Sequence, residues 1–279
     1  MIRINKSVNV PLKLATDGII ETSNLINEYN TNPAQYTSGN GIPSKQLVKF
    51  VFNPKIYGDK SIKDQLIKDQ HEKCCYCEGK FLEFGYGEVE HYRPKGAYNK
   101  LNDKKLTYPG YYWLAFDWNN LMFSCEKCNR SFKKNHFPLE DETKRKRNHN
   151  HPNRLEDEDR LLINPNEEDP STFFKFKEEI PVPINNDLKG ERTIKIYGLE
   201  RLNDSRLEHL KIIKSLLSLV EIDETDTIEL NKAAQILKIN PDDLKESVIL
   251  SKHMYNSVAN ESAKYAYCVR CKFPQLPIL

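Results

Sequence analysis

No apolar run in this sequence approaches the roughly 20 residues that a membrane-spanning helix needs, so a helical membrane protein is not expected. The opening stretch MIRINKSVNVPLKLATDG alternates apolar and polar residues and lacks the continuous apolar core of a secretory signal, which makes export unexpected and a cytoplasmic location the default. Internal repeats and low-complexity tracts are missing too. Net charge is nearly absent at +2, so the molecule is no uniformly cationic wrapper, and any attraction to phosphate has to come from local clusters. What is present is a chain of 279 residues, 38% hydrophobic and 29% charged, the balance of a soluble, polar-surfaced globular protein rather than a disordered one. That length exceeds one average domain and suggests a compact module with flanking segments that share or extend its core.

The seven cysteines are unevenly spread. Six fall in C-x-x-C pairs, Cys74/Cys77, Cys125/Cys128 and Cys268/Cys271, with Cys75 left over. In a reducing compartment such pairs suggest metal before disulfide. Two pairs can supply four thiolates to one closed, tetrahedral Zn²⁺ site, each pair acting as one knuckle. Cys74, Cys77, Cys125 and Cys128 are therefore the expected ligands of a structural zinc, which supplies folding free energy to a region too small to bury much apolar surface. Cys268 and Cys271 have no second pair nearby, and buried thiols are the favoured reading over a site completed by His253 or another chain.

Met1 to about Leu14 reads as a strand arm, and Ser61–Glu72 has helical spacing that leads into the first cysteine pair. Lys80–Arg93, KFLEFGYGEVEHYR, has the signal of a β-hairpin with a glycine-rich turn and His91 on its second strand. Tyr111–Trp118 reads as a buried aromatic helical turn, its Tyr111, Tyr112, Trp113, Phe116 and Trp118 serving as core rather than as a base-stacking platform. Lys127–Lys134 starts a short helix at the second pair. Residues 143–159 are almost wholly charged, with the run Lys144, Arg145, Lys146, Arg147, and mark an exposed loop and a boundary. A strand at Arg160–Ile163, further short β segments, and amphipathic helices near Arg201–Val220, Asp226–Leu237 and Asp242–Cys268 complete the chain. The apolar stripes of the tail pack on the core or bind a partner.

Within the loop between the two pairs lie Glu90-His91-Tyr92-Arg93-Pro94-Lys95 and then Asn120-Leu121-Met122-Phe123-Ser124, followed by Cys125, Cys128 and Asn129. An acidic residue then His on a strand, Asn ahead of the second C-x-x-C, and Asn directly after it resemble the HNH nuclease motif, most of all its four-cysteine members typified by phage Holliday-junction resolvase. The resemblance implies an α+β fold with a zinc-stabilised ββα-metal core at 67–142. An N-terminal strand and helix arm at 1–66 would pack on that core, with the charged loop at 143–159 and a mixed, then helical, region at 160–279. It implies phosphodiester hydrolysis leaving 5′-phosphate and 3′-hydroxyl ends. His91 would be the general base, since a neutral imidazole near its ordinary pKa of about 6.5 accepts a proton from water. Glu90 and Asn129 would hold one Mg²⁺ or Mn²⁺, ions suited to hard oxygen ligands, and Asn120 would orient His91. Most HNH enzymes have Asp where this chain has Glu90, and many have His where it has Asn129. His136 is an alternative ligand. Arg93, Lys95, Arg130, Lys133 and Lys134 surround the motif as expected nucleic-acid backbone contacts.

The longer stretches EHYRPK, YYWLAFDWNNLMFSCEKCNRSFKKNHFPL, LLINP with the following EEDP, and TIKIYGLERL resemble the PtuB family, nuclease subunits of Septu and retron-linked antiphage systems, over about Met1–Arg206. That resemblance implies an ATPase partner, PtuA, related to the SMC and ABC families, and a DNA or tRNA substrate. The competing reading is a non-catalytic zinc ribbon that binds nucleic acid or protein, for which the set Glu90, His91, Asn120, Asn129 at these spacings has no use.

Overall fold

A computed structural model describes residues 1–279, which divide into two compact units: Met1–Phe174 with Pro183–Leu199, and Lys175–Val182 with Glu200–Leu279. The principal elements are α1 (Ile19–Thr31), α2 (Lys60–Asp69), β1 (Glu88–His91), β2 (Leu121–Ser124), α3 (Lys127–Lys133), β3 (Phe174–Lys177), β4 (Ile180–Pro183), α4 (Leu188–Ile196), α5 (Asn203–Leu217), α6 (Thr227–Leu237), α7 (Pro241–Ser257) and α8 (Ala266–Lys272). The class is mixed helix with two small antiparallel sheets, β1 with β2 and β3 with β4.

In the first unit β1 pairs antiparallel with β2, Glu88 opposite Ser124 and His91 opposite Leu121, and α3 follows at once. The strand order β, β, α is the expected one, but the hairpin is not the expected hairpin. Lys80 makes one isolated bridge with Lys73, residues 81–87 are turn and irregular chain, and the partner of β1 comes instead from beyond a long connector. The reason is hydrophobic: Leu121, Met122 and Phe123 are fully buried, while Leu82, Phe84 and Tyr86 are exposed, so only β2 carries a face that burial can hold in register. The N-terminal arm is likewise irregular rather than a strand up to residue 11. No named strand forms at Arg160–Ile163, where Arg160 makes a single isolated bridge with Leu139.

Behind β2 lies a core of Leu14, Leu25, Tyr29, Phe50, Ile62, Leu66, Tyr112, Phe116, Trp118 and Phe123. Tyr36, Phe50 and Tyr112 stack in series with ring centroids 4.5 and 4.4 Å apart, and the connector's short turns at Tyr112–Leu114 and Trp118–Asn120 are buried as its aromatic spacing predicts. Asp59 caps α2 by accepting from the Ser61 amide at 2.9 Å, which fixes where that helix starts.

The charged stretch 143–159 is not a boundary. Arg145 is fully buried, its guanidinium donating to the Phe137 carbonyl at 2.8 Å, the Tyr111 hydroxyl at 2.7 Å and the Glu142 carboxylate at 2.6 Å. Glu158 is also buried and accepts from Arg93 Nε at 3.1 Å, the Tyr111 hydroxyl at 2.7 Å and the Lys146 amide at 3.1 Å. Two charges from opposite ends of this stretch thus anchor it inside the first unit.

In the second unit α6 and α7 bury Leu230, Ala234, Leu244 and Val248 against one another. Arg206 of α5 is buried, with its Nη1 donating to the Glu179 carbonyl at 3.1 Å and its guanidinium 4.8 Å from the Phe176 ring. The single helix expected over Asp242–Cys268 is two, because the chain leaves the helix after Ser257 and Tyr265 takes a left-handed φ of 53° before α8. Cys268 is buried and donates to the Glu178 carbonyl at 3.3 Å.

Removing one partner of a buried, hydrogen-bonded ion pair leaves an uncompensated charge, and Glu158→Gln is expected to destabilise the protein by about 3–5 kcal/mol in urea unfolding followed by circular dichroism. A shift within the error of the wild-type midpoint would show that the 143–159 stretch does not contribute to the fold.

Candidate metal centre and candidate active site

The first cysteine knuckle is a turn just past α2. The Cys74 amide donates to the Gly79 carbonyl at 3.1 Å and the Glu78 amide to the Cys74 carbonyl at 3.0 Å. Gln70 ties it to the sheet: its Nε2 donates to the Phe123 carbonyl at 2.7 Å and its Oε1 accepts from the Phe123 amide at 2.7 Å, completing both backbone groups as a neighbouring strand would. The Cys75 amide adds a bond to the same Phe123 carbonyl at 3.0 Å. The second knuckle opens α3, with the Cys128 amide donating to Cys125 Sγ at 3.4 Å. Together these place the sulfurs of Cys74, Cys77, Cys125 and Cys128 within 4.8 Å of one another, a cluster able to hold a zinc ion. Cys75 is not part of it. Burial pushes the Cys74 thiol up, but hydrogen bonds from Cys125 and Cys128 outweigh it and hold that thiol well below its usual range, while Cys77 and Cys128 are raised. Cys125 is lowered as well, first by its hydrogen bond with Cys128, so the group as a whole is disposed to lose protons to a metal.

His91 ends β1 and is buried. Its Nε2 lies 2.9 Å from the Ala115 carbonyl, which can only accept, so Nε2 carries the proton and Nδ1 is the basic nitrogen. Nδ1 lies 3.2 Å from Lys95 Nζ, and the ring stands edge-on to Tyr57 at 4.9 Å. Burial first, then the charge of Lys95, hold the imidazole well below its usual pKa, against the pull of the Ala115 bond, so it is neutral at physiological pH. Burial likewise pushes Lys95 down to about 8, partly offset by attraction to Glu90.

Asn120 does not touch the imidazole. Its Oδ1 accepts from the Arg93 amide at 2.7 Å, and its Nδ2 donates to the carbonyls of Arg93 at 3.0 Å and Leu114 at 3.1 Å. It therefore staples the end of β1 to the connector, one residue from the carbonyl that orients His91.

Glu88 and Glu90 share one face of β1, because strand side chains alternate, and α3 covers that face with Asn129 and Lys133, one helical turn apart. Glu90 is buried between the Tyr76 hydroxyl at 3.1 Å and Lys133 Nζ at 2.8 Å. Lys133, itself buried, also donates to the His91 carbonyl at 2.6 Å. Asn129 Nδ2 donates to Glu88 Oε2 at 2.9 Å, not to Glu90. No hydrogen bond joins Asn129 to Glu90, the two residues expected to share an ion: the buried ammonium of Lys133 takes the Glu90 carboxylate and Asn129 bonds Glu88. α3 is wound in the wide i to i+5 pattern, the Lys134 amide reaching the Asn129 carbonyl at 2.8 Å, a feature common at functional sites.

Of the expected backbone contacts, Arg130 and Lys134 are exposed. Arg130 is ion-paired with Glu88 and Glu126. Arg93 and Lys133 are corrections: both are buried in ion pairs, with Glu158 and Glu90, and present no free charge to a strand. Lys95 belongs to the His91 environment. His136 lines a separate recess, described below. Tyr57 and the Ala115 carbonyl carry no sequence signal, whereas Glu88 could have been found from its parity with Glu90 on the strand.

Comparison with known proteins now places the chain. It is 44% identical to Septu protein PtuB of Bacillus mycoides over 169 residues, 60% of this chain and 55% of that protein. The chain is homologous to Septu protein PtuB. A second PtuB, from Bacillus thuringiensis, is 27% identical over 186 residues, 65% of this chain and 59% of that protein. A 131-residue stretch, 46% of the chain, is 31% identical to Septu protein PtuA of Bacillus mycoides, covering 18% of that protein. The chain spans little more than half the length of the PtuB proteins it matches. No family model matches the chain, and no solved structure does. No helix is long and apolar enough to cross a membrane.

Two outcomes check this geometry. Purified protein is expected to hold one zinc per chain by elemental analysis, and Cys128→Ser to lose it together with folded structure; full zinc content in that variant would remove the cluster as a metal centre. Glu90→Gln, which strands a buried ammonium, is expected to destabilise by about 3–5 kcal/mol, while Glu88→Gln at the solvent-facing rim leaves the urea midpoint nearly unchanged. The reverse order would mean that Glu90 is not held as an ion pair.

Proposed function

We propose that this chain is a metal-dependent HNH endonuclease that hydrolyses phosphodiester bonds of nucleic acid, DNA or tRNA, as the effector of an antiphage defence complex. The observation that carries the reading is the state of His91: a buried, neutral imidazole, fixed by the Ala115 carbonyl so that Nδ1 is the free base, at the end of a strand whose acidic face is covered by the helix bearing Asn129. A structural histidine satisfied on both nitrogens by backbone would have no basic site to offer; here the second nitrogen meets a lysine side chain instead.

In this mechanism Nδ1 of His91 takes a proton from water, and the water oxygen attacks phosphorus. The bond from phosphorus to the 3′-oxygen breaks, and solvent protonates the departing oxygen, leaving 5′-phosphate and 3′-hydroxyl ends. Lys95 must leave Nδ1 for water to enter. A phosphate is its natural new acceptor, so substrate arrival and base exposure are coupled through one side chain. Asn120 keeps Ala115 and the end of β1 in register. Glu88 and Asn129, in contact and at the half-exposed rim, are hard-oxygen donors that fit Mg²⁺ or Mn²⁺, with Glu90 on the same face. When bound, such an ion neutralises charge developing on the departing oxygen. Arg130 and Lys134, both exposed, serve as phosphate contacts. The match to a segment of a PtuA protein supports a working association with a PtuA-like ATPase, since homologous sequence occurs within that protein itself.

Cleavage of plasmid DNA and bulk tRNA with Mg²⁺ or Mn²⁺, with and without the ATPase, tests the proposal. His91→Ala is expected to lower the rate by about 10²–10⁴-fold with zinc content unchanged. Normal cutting by that variant would overturn the assignment, and failure of the wild type to cut under every condition, including in infected cells, would favour a binding module.

A further inference from the structure

A second recess, of about 510 Å³, opens between the 100–104 loop, the end of α3 and one side of α4. Its charges are lopsided. Lys100, Lys104, Arg192 and Lys195 line it, and Asp103 is its one carboxylate. Asp103 is occupied in its own loop, where Oδ1 accepts the Lys105 amide at 2.8 Å, and no ion pair engages any of the four basic side chains. Arg192 and Lys195 sit three apart on α4 and so share a face. The loop is held in place from below, Asn99 Nδ2 donating to the carbonyls of Lys104 at 3.0 Å and Lys105 at 3.1 Å.

Arg192 adds an independent sign. Its Nε is buried and has no hydrogen-bond partner. Buried donors of this kind are rare because water is given up with nothing in return, and a guanidinium that lacks its acceptor in a cation-lined recess is matched by an anion with several oxygens. One wall is apolar: Phe132 of α3 is wedged against Gly198, where even a Cβ atom would lie 2.0 Å from the ring. The ring is thus a fixed surface beside the cations, and His136, held below its usual pKa first by burial and then by Lys134 and Lys133, contributes hydrogen bonding rather than charge.

We propose that this recess binds a phosphate ester, its phosphate held by Arg192, Lys195, Lys100 and Lys104 and its base or sugar lying against Phe132. A phosphate bound there relieves the mutual repulsion of four like charges and gives the Arg192 guanidinium an acceptor. The same chemistry is offered by the backbone of a nucleic-acid strand and by a free nucleotide. The strand source rests on the nuclease reading, for α3 carries both Phe132 of this recess and Asn129 of the candidate active site. The phosphate chemistry itself is independent of that reading.

The test uses the full chain in a His91→Ala background, so that cutting does not consume the probe, and measures binding of AMP and of a labelled 12-nucleotide single strand by anisotropy across a salt series. Lys100→Gln with Lys195→Gln is expected to weaken binding at least tenfold at low salt and to flatten the salt dependence by roughly 0.7 per cation removed. Loss confined to the oligonucleotide supports a strand; loss for AMP as well, with AMP competing against the strand, supports a nucleotide. Unchanged affinity and slope for both probes in the folded double variant would overturn the proposal. Wild-type chain that never cuts, yet binds in a Lys100- and Lys195-dependent way, would sink the nuclease reading and leave this one standing.

Discussion

The first unit depends on four sulfurs brought within 4.8 Å of one another. A sheet of two four-residue strands and a helix of seven residues cannot sustain itself in water. Cys74 and Cys77 extend from α2, Cys125 and Cys128 from the junction of β2 and α3, and the cluster closes the loop that contains β1. Glu88, Glu90, His91, Lys95 and Asn120 lie inside that closure, and Asn129 follows it directly. Gln70 works in the same direction from the protein side, supplying β2 with the hydrogen bonds of a missing strand. The cluster therefore fixes how α3 lies over the face of β1, and through it which acid meets Asn129.

A second constraint is electrostatic. Lys133 is buried against Glu90, and Arg93 against Glu158, both close to His91 in sequence or space. Such pairs seldom add net stability over apolar packing, yet breaking one is costly. What they achieve here is placement. Lys133 bridges the Glu90 carboxylate and the His91 carbonyl, so the acidic face of β1 and the histidine that ends it move as one body. Arg93 anchors the chain two residues past the strand to Glu158, which explains why a stretch rich in charge is held to the core.

How much of this was legible depended on whether a residue's type carries its environment with it. The four zinc-type cysteines, the helix before them, the aromatic connector and the helix from Lys127 all follow from spacing, because knuckle geometry and helical periodicity are local. The partner of β1 was not legible: Lys80–Arg93 has the composition of a hairpin, but only the residues from Glu88 onward form a strand, and register was set by the burial of Leu121–Phe123 far along the chain. Nor does sequence reveal which basic residues are buried. Arg93, Lys133 and Arg145 read as a solvated or strand-binding set, and only the positions of Glu158, Glu90 and Glu142 show them to be internal ions. Asn129 against Glu88 is the subtler case, since the right face of the strand was readable by parity while the choice between two acids on it depended on Lys133 taking the other.

Lys95 connects these strands of argument. It is held beside His91 Nδ1 in a largely buried setting, with its pKa pushed down to about 8, so its hold on the imidazole is a bond between an ammonium partly stripped of water and a neutral base. Two physical consequences follow. Nδ1 of His91 is covered and the imidazole buried, and the ammonium stands to gain more from an anion than from a neutral nitrogen. On the nuclease proposal, burial holds His91 in its neutral, proton-accepting form, so restraint falls to access, and the side chain bonded to Nδ1 is a cation that a phosphate would draw away.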